Sequence, residues 1–232
     1  MTAIATSSLT KCYGEVTAVR DLDLTVNRGE VFGFVGPNGA GKSTTISILV
    51  GLIRPSAGSA TLLDMPVDEN PRLIRQHVGV LPERCGLFDR LTGREHLAFA
   101  IDIHGDTDPP ITYLRRVGLA DAADRPTREY STGMAQRLRL AMALVGNPQV
   151  LILDEPAAGL DPSGISRLRD IVLAERDRGV TVFFSSHNLA DVGYVSDRVG
   201  FLIDGSLQAV VDPQTSDQTL GEHFDALIRG HQ

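Results

Sequence analysis

Residues 36–43 read GPNGAGKS, preceded by VFGFV at 31–35 and followed by TTISILV at 44–50. The octapeptide fits G-x-x-x-x-G-K-[ST], the pattern of a glycine-rich turn that cradles phosphate. The apolar residues before it predict a buried parallel strand. Those after it contain neither Pro nor Gly and predict a helix. Strand, turn and helix are the setting in which the pattern works. Gly36, Gly39 and Gly41 let the backbone turn tightly with its N–H groups facing inward. The helix N-terminus adds partial positive charge beneath a phosphate. Pro37, Asn38, Ala40 and Thr44 complete the expected nucleotide-binding stretch. Lys42 is placed to reach the β- and γ-phosphates, and the Ser43 hydroxyl to ligate Mg²⁺.

The bland alternative is a chance match in a Gly-rich chain. Composition argues against it: of 22 Lys and Arg residues only Lys11 and Lys42 are lysine. Elsewhere positive charge is supplied by Arg. The loop keeps Lys, whose compact ammonium fits between phosphate oxygens where a planar guanidinium does not.

The rest of the composition bounds the class. At 232 residues, with 42% hydrophobic and 22% charged residues, the chain predicts one globular domain with room for a subdomain. No apolar run reaches the ~18 residues of a membrane span, and residues 1–10 lack the basic start and apolar core of a signal sequence. Net charge is −7 with no basic cluster, so direct nucleic-acid binding is not expected. Cys12 and Cys85 show no metal spacing and read as free thiols in a reducing cytoplasm.

Taken in order, residues 4–9, 22–26 and 31–35 predict strands separated by turns at Gly14 and Arg28-Gly29. Tyr13 lies in the turn KCYGEV, either as a half-buried surface aromatic or as a ring stacked on a base. Short strands are expected at 59–63 and 78–81, with a helix start at 71–76 between them. From 92 to 146 the pattern turns helical, with Thr92 and Glu95 at capping-box spacing and further helices at 111–117 and 134–145. This predicts a helical subdomain at about 84–147, inserted in a nucleotide core of 1–83 and 148–211. Strands then return at 150–153 (VLIL) and 180–184 (VTVFF), with helices at 165–177 and 188–195. A hairpin is expected around Asp204-Gly205. The alternation predicts an α/β fold with a mainly parallel sheet and helices on both faces. Residues 212–232 read as a tail or short helix.

An apolar strand ending in acid is the second half of a phosphate-loop site. Asp154 would hold Mg²⁺ opposite Ser43, and Glu155 would take a proton from an attacking water. Alone they would read as two solvated carboxylates; with Lys42 and Ser43 in the same chain the chemical reading prevails. His187 follows VTVFFSS and could reach a γ-phosphate or merely satisfy a local hydrogen bond.

These pieces together resemble an ATP-binding cassette (ABC) ATPase over residues 2–211. The most specific stretch is YSTGMAQ at 130–136, which is similar to the family signature LSGGQ. Ser131 and Gly133 match; Tyr130, Thr132 and Met134 depart. The resemblance implies a phosphate-loop cassette with a mixed, mainly parallel core sheet, an N-terminal antiparallel β part and an inserted helical subdomain. It implies ATP and Mg²⁺, a base-stacking Tyr13, a switch role for His187, and a dimer-crossing loop at 158–161 (AGLD) that ends in Asp161. Glu83 stands where the family usually has a glutamine that senses Mg²⁺ and the membrane partner. Ionised Glu accepts hydrogen bonds but cannot donate them, and it adds negative charge near the γ-phosphate. LPER at 81–84, followed by GLFDRLTGREHLAF, YSTGM and AQRLRLAMAL, resembles the branch that powers bacterial exporters of drugs, antibiotics and lipids. The implied partners are a multi-span membrane permease and a second cassette, as a homodimer or with a similar chain. The implied location is cytoplasmic, peripheral at the inner face of the cell membrane.

Rival readings are a cassette ATPase of DNA repair or translation, an importer motor and a GTPase-like switch. The first usually has tandem cassettes or long insertions with basic surfaces. The last should carry N-K-x-D, which is absent. An importer motor could use the same cassette.

Overall fold

The computed structural model describes residues 1–230. Strands β1 (Thr2–Tyr13) and β2 (Val16–Asn27) pair antiparallel across the turn at Gly14. Both extend well beyond the short segments expected at 4–9 and 22–26. Register shifts let pairing continue while the strands bend, and Ser8 and Asp21 take positive φ of 43° and 42° along them. Tyr13 thus closes β1 rather than sitting in the turn. Strand β3 (Val31–Val35) runs into the glycine-rich loop and helix α1 (Lys42–Leu49) leaves it. Strands β4 (Ala57–Leu62) and β5 (Met65–Pro66) complete a four-stranded antiparallel sheet, in the order β2-β1-β4-β5.

Helix α2 (Pro71–His77) and strand β6 (Val78–Leu81) lead into a helical insertion of α3 (Gly93–His104), α4 (Pro110–Arg116) and α5 (Thr132–Ala143). The chain returns through β7 (Val150–Asp154), α6 (Pro162–Asp177), β8 (Thr181–Ser186) and α7 (Leu189–Val195). Strands β9 (Arg198–Ile203) and β10 (Ser206–Val211) form the hairpin expected at Asp204-Gly205, and α8 (Leu220–Gly230) follows.

The second sheet has the order β10-β9-β3-β8-β7-β6, parallel throughout except for the β9–β10 hairpin. Its central strands read as apolar runs because both faces are covered. Side chains alternate across a strand, and this divides the core in two. Val31, Val35, Leu151, Leu153, Val182 and Phe184 face one cluster, packed by α3 to α7. Phe32, Phe34, Val150, Ile152 and Phe183 face the other, shared with α1, α2 and the antiparallel sheet. One face is therefore covered by helices, the other by a helix pair and a β layer.

The insertion is anchored by specific polar contacts. Thr92 caps α3 in the reciprocal arrangement its spacing predicts: Thr92 Oγ1 accepts from the Glu95 N–H at 3.2 Å and Glu95 Oε2 accepts from the Thr92 N–H at 2.7 Å. Buried His96 holds the loop before α3, its Nε2 accepting from the Phe88 N–H at 2.9 Å. At the far end, the Tyr113 hydroxyl and the Gly146 N–H both donate to Asp106. Burial and that carboxylate push the Tyr113 phenol well above its usual range. In the C-terminal stretch, α8 packs Leu220, Phe224 and Leu227 onto the core beside Phe201. No helix among the described residues is long and apolar enough to cross a membrane.

Candidate active site

The glycine-rich loop lies at the carboxyl ends of parallel strands, where open α/β sheets hold ligands. Two glycines there are fixed by space. A Cβ on Gly36 would lie 2.2 Å from the Leu202 carbonyl oxygen, and one on Gly41 would lie 2.2 Å from that of Ala18, with Gly41 at φ 104°. The turn is thus pressed against β9 and β2, and only glycine fits. Lys42 is 6% exposed. Its ammonium donates to the carbonyls of Gly36 at 2.8 Å and Pro37 at 3.2 Å and stands 3.6 Å from Glu155 Oε1.

Strand β7 ends in buried Asp154, and Glu155 follows with a left-handed backbone at φ 49°. In extended chain, adjacent residues point to opposite faces. The kink instead lets Glu155 join Lys42 and His187, whose Nδ1 lies 2.9 Å from Glu155 Oε2. Ser185 of β8 holds the pair from behind. Its hydroxyl donates to Asp154 Oδ1 and accepts from the Glu155 N–H at 3.0 Å.

These groups bound a cleft of about 550 Å³ lined by Asn38, Gly39, Gly41, Lys42, Ser43, Thr44, Glu83, Glu155 and His187. All nine are residues that the sequence pattern and the family resemblance assign to the site. Asp154, buried at the end of β7, does not itself line the cleft, nor do Gly36, Pro37 and Ala40 of the loop. Of three further lining residues, Ala18 and Arg84 were not expected in the site, and Ala158 begins the loop at 158–161 that the resemblance implied to cross a dimer. Arg84 neighbours Glu83, so a charged pair at the mouth was readable there. Ala18 is supplied by β2, and nothing in its sequence neighbourhood marks it.

Four candidates lie outside this cleft. Tyr13 is 51% exposed at the end of β1, with the Lys11 ammonium 5.1 Å from its ring centroid. Ser131 caps α5, accepting from the Met134 N–H at 3.2 Å, which leaves its own proton to donate elsewhere. Gly133 packs against the loop at Gly159: a Cβ there would lie 3.5 Å from the Gly159 carbonyl oxygen. Asp161 caps α6, and the Gly164 N–H and the Ser163 hydroxyl hold its carboxyl below the usual carboxylate range. Ser131 and Asp161 are exposed and Gly133 is half-buried, and none of the three lines the cleft.

The donor set fits a phosphate chain. It offers loop amides, a helix N-terminus and a lysine held by two loop carbonyls and the Glu155 carboxylate. It also fits a divalent cation that shares phosphate oxygens. Among the described residues no cluster of three His, Cys, Asp or Glu could hold a metal alone. Ser43 and Asp154 would supply protein oxygens, as hard cations prefer.

Residues 19–158 match the family described as ABC transporter. An uncharacterized ABC transporter ATP-binding protein of Nostoc sp. is 38% identical, the match covering 98% of this chain and 70% of that protein. A fluoroquinolones export ATP-binding protein of Mycobacterium tuberculosis is 41% identical over 84% of this chain and 65% of its own length. Among solved structures, an ATP binding subunit of an ABC transporter superposes with a TM-score of 0.88 at 28% identity, covering 97% of this chain and 99% of that one.

Proposed function

The chain belongs to the ABC transporter family, and we propose that it is the ATP-hydrolysing motor of an exporter, acting as a pair of cassettes beneath a separate multi-span membrane subunit. The observation that carries this reading is the convergence of Lys42, Glu155 and His187 on one cleft while exposed Ser131 and half-buried Gly133 stand outside it. Residues 1–211 make up the ATPase, with 84–147 as its helical subdomain and 212–232 as an appended C-terminal segment.

In this reading the phosphate chain of ATP lies along the loop amides. Lys42 exchanges its bonds to the Gly36 and Pro37 carbonyls for phosphate oxygens. Glu155 accepts a proton from the attacking water. The water oxygen bonds to the γ-phosphorus as the bond to the β–γ bridging oxygen breaks, and ADP leaves. His187 steadies Glu155 through Nδ1 and presents its far edge to the γ-phosphate. Mg²⁺, when bound by Ser43 and Asp154, would neutralise charge on the phosphate oxygens; Glu83 lines the same cleft and would face the bound cation. The γ-phosphate faces a cleft that one chain leaves open. Ser131 and Gly133 at the start of α5 of a second chain would close it, with Asp161 on the loop that crosses between them. ATP then joins two chains and hydrolysis loosens them, a two-state element that can drive a membrane partner.

Tyr13 would stack on the adenine. Tyr13→Ala is expected to weaken ATP and GTP to similar extents, by about 1–3 kcal/mol, since stacking discriminates poorly between bases. Tyr13→Phe should match wild type. Equal equilibrium affinities for wild type and Tyr13→Ala would make Tyr13 a surface aromatic only.

The export direction rests on similarity to the fluoroquinolones export protein, of which the match covers 65%. The membrane partner would dock at the loop from Glu83 to α3. Phe88 is 65% exposed there although its backbone is pinned by His96 and by Thr127, whose Oγ1 donates to the Phe88 carbonyl at 3.0 Å. Phe99 and Ile103 add apolar surface on α3. In a chain with exposed Cys12 and Cys85 replaced by serine, Phe88→Cys should crosslink to a cytoplasmic segment of the co-expressed membrane subunit. Crosslinks formed only from residues 212–232 would contradict this surface. A peripheral position on the cytoplasmic side of the membrane follows from such docking.

A further inference from the structure

Ser185 sits opposite Asp154 in the parallel register of β7 and β8 and is fully buried. One oxygen serves both acids: it donates to the Asp154 carboxylate and accepts from the Glu155 backbone. The second contact falls where the chain leaves the strand with φ 49°. A long L-side chain adopts that conformation only where its surroundings hold it. Without the kink, the alternation of the strand would carry the Glu155 carboxylate away from the face that Asp154 serves. With it, Glu155 stands 3.6 Å from Lys42 and 2.9 Å from His187.

We propose that Ser185 is a positioning residue for hydrolysis: its hydroxyl fixes the Asp154 carboxylate and the left-handed turn at Glu155 relative to each other. The proposal rests on the reading of Asp154 as a metal residue and Glu155 as the base. Strand β8 thereby contributes twice, since His187 lies two residues beyond Ser185 and engages the Glu155 side chain. Alanine at 185 can neither donate nor accept. Asp154 would then be free to rotate, and the Glu155 N–H would lose its acceptor. Threonine keeps an oxygen at the same position. Cysteine keeps the volume but bonds weakly.

The test compares Ser185→Ala, Ser185→Cys and Ser185→Thr with wild type and Glu155→Gln. Ser185→Ala and Ser185→Cys should lower kcat for ATP by about 10- to 100-fold, with the affinity for ATP measured without divalent cation changed by less than about 2-fold. Hydrogen exchange at the Glu155 backbone amide, read by NMR without nucleotide, should accelerate at least about tenfold in both. Ser185→Thr should stay close to wild type in all three readouts. A Ser185→Ala or Ser185→Cys protein with wild-type turnover, or with unchanged exchange at Glu155, overturns the proposal. The Glu155→Gln arm separates it from the reading beneath it. If that variant still turns over ATP, Glu155 is not the base. If it is inactive while both small-residue variants remain fully active, only the role of Ser185 is lost.

Discussion

Glu155→Gln is expected to bind ATP and to stop hydrolysing it, with turnover reduced at least ~100-fold, the usual scale for removing a general base. The substitution keeps the shape and hydrogen-bonding capacity of the side chain and removes its charge and its proton affinity. Binding should hold or tighten, because the carboxylate now stands 3.6 Å from the Lys42 ammonium and competes with phosphate for it. The Glu155 backbone stays held by Ser185 through its N–H, so the variant tests chemistry rather than local folding. Steady-state phosphate release and equilibrium ATP binding on the same preparation check both halves. Turnover near the wild-type rate would remove Glu155 from the mechanism.

Lys42→Ala should abolish hydrolysis and weaken ATP binding by about 2–3 kcal/mol, the worth of a charge-assisted contact, or roughly 30- to 150-fold in affinity. Two effects combine. The phosphates lose their cation, and Glu155, only 14% exposed, loses its nearest positive partner and is left to repel them. Lys42→Arg should not rescue hydrolysis. The space beneath the loop holds an ammonium bonded to the Gly36 and Pro37 carbonyls, which a planar guanidinium does not match. A Lys42→Ala protein with unchanged turnover would remove the phosphate-loop assignment.

The cleft was legible where chemistry is local in sequence. The loop, its strand and its helix are contiguous, so GPNGAGKS and its flanks carry their own geometry. The parallel strands could be read from apolar runs because both sheet faces are buried. Strands β1 and β2 were read too short, since bulges at Ser8 and Asp21 break the alternation that marks a strand while backbone pairing continues. The split of the core between a helical face and a β layer was not readable. It depends on which way each strand turns its alternate side chains, and that is fixed by packing partners far along the chain. Ser185 was missed for a related reason. Its partners lie 31 and 30 residues away, and a serine at the end of an apolar strand has an ordinary appearance. Glu155 itself was found, but its backbone kink, which sets its direction, belongs to no sequence pattern.

The central claim is that two chains close around ATP, with Ser131 of one chain capping the phosphate held by Lys42 of the other. The most direct measurement is the molar mass of Glu155→Gln by static light scattering, with and without saturating ATP, alone and combined with Ser131→Arg. The account predicts the mass of one chain without nucleotide and of two chains with ATP. It predicts one chain again when Ser131→Arg fills the space the γ-phosphate must enter, while ATP affinity per chain remains that of a single open cleft. A mass that doubles with ATP equally well in the Ser131→Arg background would contradict it, because the dimer would then form without the surface assigned to hold the phosphate.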